Sequence, residues 1–109
     1  MRKKLSMPIS VLLFLLVSGS VYALEWSEEQ GAMDWNAAKA LCSEIGMRLP
    51  TKGELIAAYN RSETKSWTGN NGYWSSTTVG DDSAYRMGAV LGTVDYVPRT
   101  SSIDVRCVR

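Results

Sequence analysis

Two cysteines, a conspicuous pair of adjacent aspartates and a set of aromatic and arginine side chains are the groups in this 109-residue sequence with chemistry to offer. The acids, Asp81 and Asp82, sit in a Gly-Asp-Asp-Ser segment. Paired carboxylates could serve a small hydrolase as general acid and base, but adjacent acids in such a segment usually form a solvated turn. The sequence contains no histidine, so the commonest general base and metal ligand is missing. Together with Asn70 and Asn71, the two acids could offer hard oxygen ligands to calcium. No loop, however, has the alternating oxygen spacing of an EF-hand, and neither a metal nor a cofactor is expected.

Aromatic rings are the stronger functional signal, because they bury much area with few rotors and stack on sugar faces. Trp67 lies in Ser66-Trp67-Thr68-Gly69-Asn70-Asn71-Gly72, a loop without apolar neighbours. It is expected to be exposed and to contact a ligand beside Asn70 and Asn71, so that truncating it would touch binding rather than stability. Tyr85, Arg86, Tyr96 and Arg99 lie on or beside two strands of an expected hairpin and form a second candidate set. Tyr and Arg are enriched at interfaces, although a solvated sheet face has the same composition. Trp35 and Trp74 read as core. Arg48 and Arg106 read as structural ion-pair partners, with Glu54 or Asp104. Asn60-Arg61-Ser62 fits a glycosylation sequon, a match common by chance.

These groups belong to one domain, since the chain is long enough for one core and not two. Residues 1–23 read as a signal peptide. Arg2, Lys3 and Lys4 precede an apolar run from Ile9 to Val17, and Val21-Tyr22-Ala23 fits a cleavage site after Ala23. The apolar run is shorter than the about 20 residues that span a bilayer. Cleavage removes three basic residues, leaving nine Lys/Arg against eleven Asp/Glu, so the formal charge moves from +1 to about −2. Without a basic run in residues 24–109, nucleic acid has little electrostatic attraction to this domain. In a domain with a periplasmic or secreted destination, Cys42 and Cys107 read as a disulfide pair; two unpaired buried thiols are the other reading. Closing a loop of about 66 residues would restrict the unfolded chain by roughly 4 kcal/mol.

The elements that must position these groups can be read from periodicity. Asp34 is a good N-cap, and Trp35, Ala38, Cys42 and Ile45 form one apolar helix stripe that Leu41 widens and Gly46 ends. Thr51-Lys52-Gly53-Glu54 is a capping-box pattern opening a second helix that ends near Asn60. Strands are expected at 73–77, 84–90, 93–97 and 103–108, with Leu91-Gly92 as a hairpin turn. In the last run Ile103, Val105 and Cys107 share one face, so Cys107 and Cys42 both point inward and can meet.

The order of Trp35-x-x-Ala38-x-x-x-Cys42, then Gly46-x-Arg48-Leu49-Pro50-Thr51-x-x-Glu54-Leu55, then Tyr73-Trp74-Ser75-Ser76-Thr77, then Val105-Arg106-Cys107-Val108-Arg109 resembles the Lcl C-terminal domain family. That family is related to the C-type-lectin-like and sulfatase-modifying-factor folds. The resemblance covers about residues 30–109. It implies an α+β, C-type-lectin-like domain over 24–109, with two helices flanking a small twisted antiparallel sheet, one Cys42–Cys107 disulfide and a loop-rich ligand face. It also implies a surface, pilus-associated or secreted module, adhesin-like in some members. The Glu-Pro-Asn, Gln-Pro-Asp and Trp-Asn-Asp calcium motifs of sugar-binding lectins are absent, as is the cysteine pair of the formylglycine-generating enzymes. The combined expectation is an exported, non-enzymatic module for a protein or glycan partner, with no membrane contact after signal cleavage. The alternatives are an assembly subunit of a pilus or envelope complex and a small acid-dependent hydrolase.

Overall fold

A computed structural model describes residues 24–109; the signal peptide expected over 1–23 lies outside them. The chain forms β1 (Ala32–Met33), α1 (Trp35–Glu44), α2 (Lys52–Asn60), a 3-10 turn (Glu63–Ser66), β2 (Tyr73–Val79), β3 (Ser83–Met87), β4 (Val94–Pro98) and β5 (Ile103–Asp104). Both helices start where the side chains provide caps. Asp34 accepts from the Ala37 N–H, and Thr51 and Glu54 exchange hydrogen bonds in a complete capping box. Arg48 grips the same Glu54 carboxylate through both terminal nitrogens, at 2.8 and 2.9 Å, which holds the linker before α2 against its first turn.

The five strands lie in the order β1-β5-β2-β3-β4. The sheet is mixed rather than purely antiparallel, because β5 runs parallel to β2 through Tyr73 and Asp104. After β4 the chain does not reverse. It crosses past the start of α1, where the Arg99 carbonyl accepts from the Trp35 N–H, and reaches the far side of β2 running in the same sense. Two expected strands are shorter than the alternation suggested. The 84–90 run ends at Met87, because Gly88 to Thr93 forms the turn, closed by Gly88 N–H to the Thr93 carbonyl. The 103–108 run pairs as β5 over two residues only. Its remainder is held by the segment before β1: Gln30, Ser27 and Glu25 donate to the carbonyls of Val105, Cys107 and Arg109.

Successive residues Tyr73 and Trp74 point to opposite faces of the sheet and open two cores. On one face Trp74 packs with Trp35, Ala38 and Cys42 of α1, and with Ala84, Val105 and Cys107. On the other, Tyr73 packs with Leu55 of α2, Met87 and Ala89. The buried indoles of Trp35 and Trp74 donate to the carbonyls of Ser75 and Met33, so neither nitrogen is stranded. Ile45 departs from the expected stripe: it sits at the C-cap of α1 and is 41% exposed. Cys42 and Cys107 are fully buried and bonded, with Cα atoms 5.5 Å apart across 65 positions of sequence.

A second tie joins the chain ends near the α2-side core. Glu29 accepts from Arg106 Nε at 3.0 Å and from the Tyr73 hydroxyl, while Arg106 also donates to the Ser27 carbonyl and lies over the Trp67 ring. Trp67 in turn packs edge-on between Trp26 and Tyr73, with centroids 4.9 Å away on each side. This corrects the expectation of an exposed Trp67, which is only 8% exposed and belongs to the core. Its apolar neighbours come from distant sequence, not from its own loop. It also corrects the partner of Arg106, which is Glu29 and not Asp104.

Three outcomes follow. Replacing both cysteines by serine lowers unfolding free energy by up to about 4 kcal/mol, read in denaturant titrations, because the unfolded chain regains its loop entropy. Trp35→Ala and Trp67→Ala each cost about 3–5 kcal/mol, since both leave cavities; a Trp67→Ala melting curve indistinguishable from wild type would refute its place in the core. Burial and the Glu29 carboxylate push the Tyr73 hydroxyl up to about 12, from an ordinary value of 10. The neutral phenol is therefore favoured by folding, and this stability is complete below pH 10 and is lost as pH rises towards 12. The loss amounts to about 2–3 kcal/mol, and Tyr73→Phe, though less stable at neutral pH, should lack this alkaline decline.

Candidate functional site

The loop Gly69 to Gly72 is pinned from beneath. Gly69 N–H donates to the Tyr73 hydroxyl at 2.7 Å, and the Asn71 N–H donates to Asp104 Oδ2 at 3.1 Å. A side chain at Gly69 would meet that same carboxylate at 2.5 Å, so only glycine fits this approach. With the backbone engaged below, the side chains of Asn70 and Asn71 are left exposed.

Arg86 connects this loop to the β3–β4 hairpin. It donates to both oxygens of Asp95 across the strand pair, at 2.9 and 3.2 Å, and to the Asn71 carbonyl at 3.1 Å. Its hydrogen bonds hold the Asp95 carboxyl below the usual carboxylate range. Around this pair is an open groove of about 460 Å³, lined by Asn70, Asn71, Gly72, Arg86, Gly88, Thr93, Val94 and Asp95. Three of the sequence-derived candidates, Asn70, Asn71 and Arg86, thus come together. A second concavity of about 410 Å³ lies on the other flank of the hairpin turn, between Tyr59, Asn60, Ser62, Thr64, Lys65, Ala89 and Val90. The turn itself lifts Val90 and Leu91 into solvent at 79% and 76% exposure.

The other candidates do not join that groove. Tyr85 and Tyr96 are register partners whose rings meet edge to face at 5.8 Å; strand alternation directs them to the opposite sheet face from Arg86 and Asp95. Lys52 Nζ sits 4.1 Å over the Tyr85 ring, and Tyr96 is 57% exposed. Arg99 is a structural clamp: it donates to the carbonyls of Ser83 and Gly80 and stacks on Trp35 at 4.6 Å. Trp67 is behind the Asn70–Asn71 loop, inside the core. Asp81 and Asp82 are exposed on the turn between β2 and β3, at the far end of β2 from Asn70 and Asn71. A seven-residue strand separates the two sets by about 20 Å, so they cannot share a calcium ion. Among the described residues, no three His, Cys, Asp or Glu side chains gather to hold a metal.

Two features of this end of the molecule escape a reading by sequence pattern. Leu91 was expected in the turn, but Val90 looks like a strand residue beside its apolar neighbours, and the Gly88–Thr93 closure places both in the turn. Glu29 has no local motif at all, and Asp104, two residues from Arg106, offered a nearer acid that masked it.

No curated protein matches the chain in sequence. Among solved structures, botrocetin, a protein of C-type-lectin-like fold, is similar with a TM-score of 0.57 at 16% identity, covering 79% of this chain and 89% of that one. The fold of this chain is accordingly C-type-lectin-like. A family model described as "Domain of unknown function (DUF8780)" matches residues 26–109, and the chain belongs to that family.

Proposed function

We propose that the chain is an exported, non-enzymatic binding module that recognises a protein or glycan outside the cytoplasm. The observation that carries this reading is the pairing of a fixed backbone with free polar side chains at one end of the sheet. Tyr73, Asp104 and Arg86 hold the Asn70–Asn71 loop, yet the asparagine amides remain exposed beside a 460 Å³ groove. Amide groups held in place before binding lose little conformational freedom when they engage a ligand, which suits recognition of a polar surface. The exposed Tyr96 ring extends the polar-aromatic surface on the other sheet face.

Several further observations support parts of the reading. The buried Cys42–Cys107 bond suits an oxidising compartment, periplasmic or extracellular. The charged, apolar and small-residue order of residues 1–23 supports a leader cut after Ala23. The four ordered motifs support kinship with Lcl C-terminal domains, and through it an adhesin-like role. The C-type-lectin-like fold supports binding over turnover as its use.

The test is a glycan array together with pull-downs from the periplasmic and extracellular fractions, using the chain expressed with its own leader. Substituting Asn70→Ala and Asn71→Ala together should weaken the ligand found by about tenfold or more while leaving the melting temperature unchanged. A ligand indifferent to this change removes the groove from the proposal, and substrate turnover by the purified protein removes the non-enzymatic reading altogether.

A further inference from the structure

The two most exposed large apolar side chains of the described residues are neighbours, Val90 and Leu91, at the tip of the β3–β4 hairpin. A floppy loop would make this exposure unremarkable, but the tip is built rigidly. Gly88 N–H donates to the Thr93 carbonyl and Gly92 N–H to the Gly88 carbonyl, both at 2.9 Å. The buried Thr64 hydroxyl donates to the Ala89 carbonyl at 2.8 Å, tying the tip to the 3-10 turn. The Tyr59 ring lies so close on Gly92 that a Cβ there would come within 2.6 Å of it. Gly92 also has φ +68, a backbone conformation that glycine adopts without strain. Four restraints therefore hold two aliphatic side chains out in water before any partner arrives.

We infer that the Val90–Leu91 tip is the anchor of a protein interface, packing against apolar side chains of a polypeptide partner. The inference rests on the binding-module reading and names the class of its partner. Three competing occupants fit the tip less well. Sugars are recognised by aromatic faces and hydrogen-bonding groups, and Val and Leu supply neither. A bilayer would gain only about half the carbons of a single acyl chain, which is itself a marginal anchor, and Lys65 is the one charged residue lining the adjacent concavity. A second copy of the chain would need about 800 Å² buried per subunit, far more than two side chains expose. A polypeptide fits what surrounds the tip: Asn60, Ser62 and Lys65 on one flank and Asn70 and Thr93 on the other offer a hydrogen-bonding rim with a single cation around an apolar centre. That is the arrangement of an interface hot spot, with pre-ordering reducing the entropy lost on docking.

The experiment is selection of a random peptide display library on the protein expressed from its full-length sequence. In parallel, phosphatidylcholine–phosphatidylglycerol vesicles and a glycan array are applied to the same preparation. Selected peptides should be rich in apolar residues and should lose at least about tenfold in affinity with Val90→Ser and with Leu91→Ser. Melting temperatures should match wild type, because both side chains are exposed; Val90→Thr, which keeps the branched shape, is the second variant if serine disturbs the turn. Peptides that bind the tip variants as tightly as wild type, or a selection that yields none, overturn the inference. Glycan binding that survives the tip changes and fails in the Asn70→Ala, Asn71→Ala protein overturns it too, while leaving the module reading intact. Vesicle binding lost in Leu91→Ser would replace the protein partner by a lipid surface. Absence of any ligand from peptides, glycans, vesicles and pull-downs would instead defeat the module reading itself.

Discussion

The covalent bond between Cys42 and Cys107 is the constraint on which the rest of this structure depends. A sheet with an apolar face on either side needs two cores, and a domain this small divides its few large side chains between them. Such a division leaves each core thin, in a size range where net stability is about 5 kcal/mol or little more. The disulfide counters this by joining the middle of α1 to the last extended segment, with both sulfurs inside the first core. Its position also accounts for the unusual strand direction. The chain must return beside β2 to bring Cys107 under α1, and the crossing past Trp35 delivers it there parallel to β2.

The second core has no covalent tie and uses charge instead. Glu29, Arg106 and Tyr73 form a partly buried hydrogen-bonded group in which the carboxylate has its cation and its hydroxyl donor, so the desolvation of each is offset. The stacking of Arg106 on Trp67 and the edge-on packing of Trp67 against Trp26 and Tyr73 then turn the group into a wall for the core. This wall is also the floor beneath the Asn70–Asn71 loop, since the Tyr73 hydroxyl that donates to Glu29 accepts from Gly69. Stability and loop presentation are therefore coupled: loosening Glu29 or Arg106 would free the loop as well as thin the core.

Local chemistry was legible from the sequence wherever a local rule governed it. Asp34 and Thr51 cap because their side chains meet N–H groups three residues away, and that requires nothing distant. Cys42 and Cys107 face inward because helical and strand periodicities are local too. Trp67 was misread because its surroundings are made by Trp26 and Tyr73, one of them 41 positions earlier, and polar sequence neighbours say nothing about that. Arg99 was misread for the same reason, its acceptors Gly80 and Ser83 and its stacking partner Trp35 all lying far off in sequence. The groove residues Asn70, Asn71 and Arg86 came out together because two independent local features, a Gly-Asn loop and an alternating hairpin strand, happen to be sheet neighbours.

What remains is why the proposed recognition surface lies at the hairpin end and not at the other. The β2–β3 turn carries Asp81 and Asp82, but Arg99 binds its carbonyls and packs that turn onto α1, so its backbone serves the fold. Both ends of the described residues are engaged in pairing, with Glu25 and Arg109 exchanging backbone hydrogen bonds and a side-chain ion pair. At the hairpin end the restraints act from below and from the side: Thr64 and Tyr59 fix the turn, Tyr73 and Asp104 fix the loop. The outward side chains there, Val90, Leu91, Asn70 and Asn71, are exposed and belong to neither core, so folding alone gives no reason for a rigid frame beneath them. A rigid frame under side chains that stabilise nothing inside is what recognition requires, because geometry held in advance is the part of binding that a flexible surface must supply from the affinity itself.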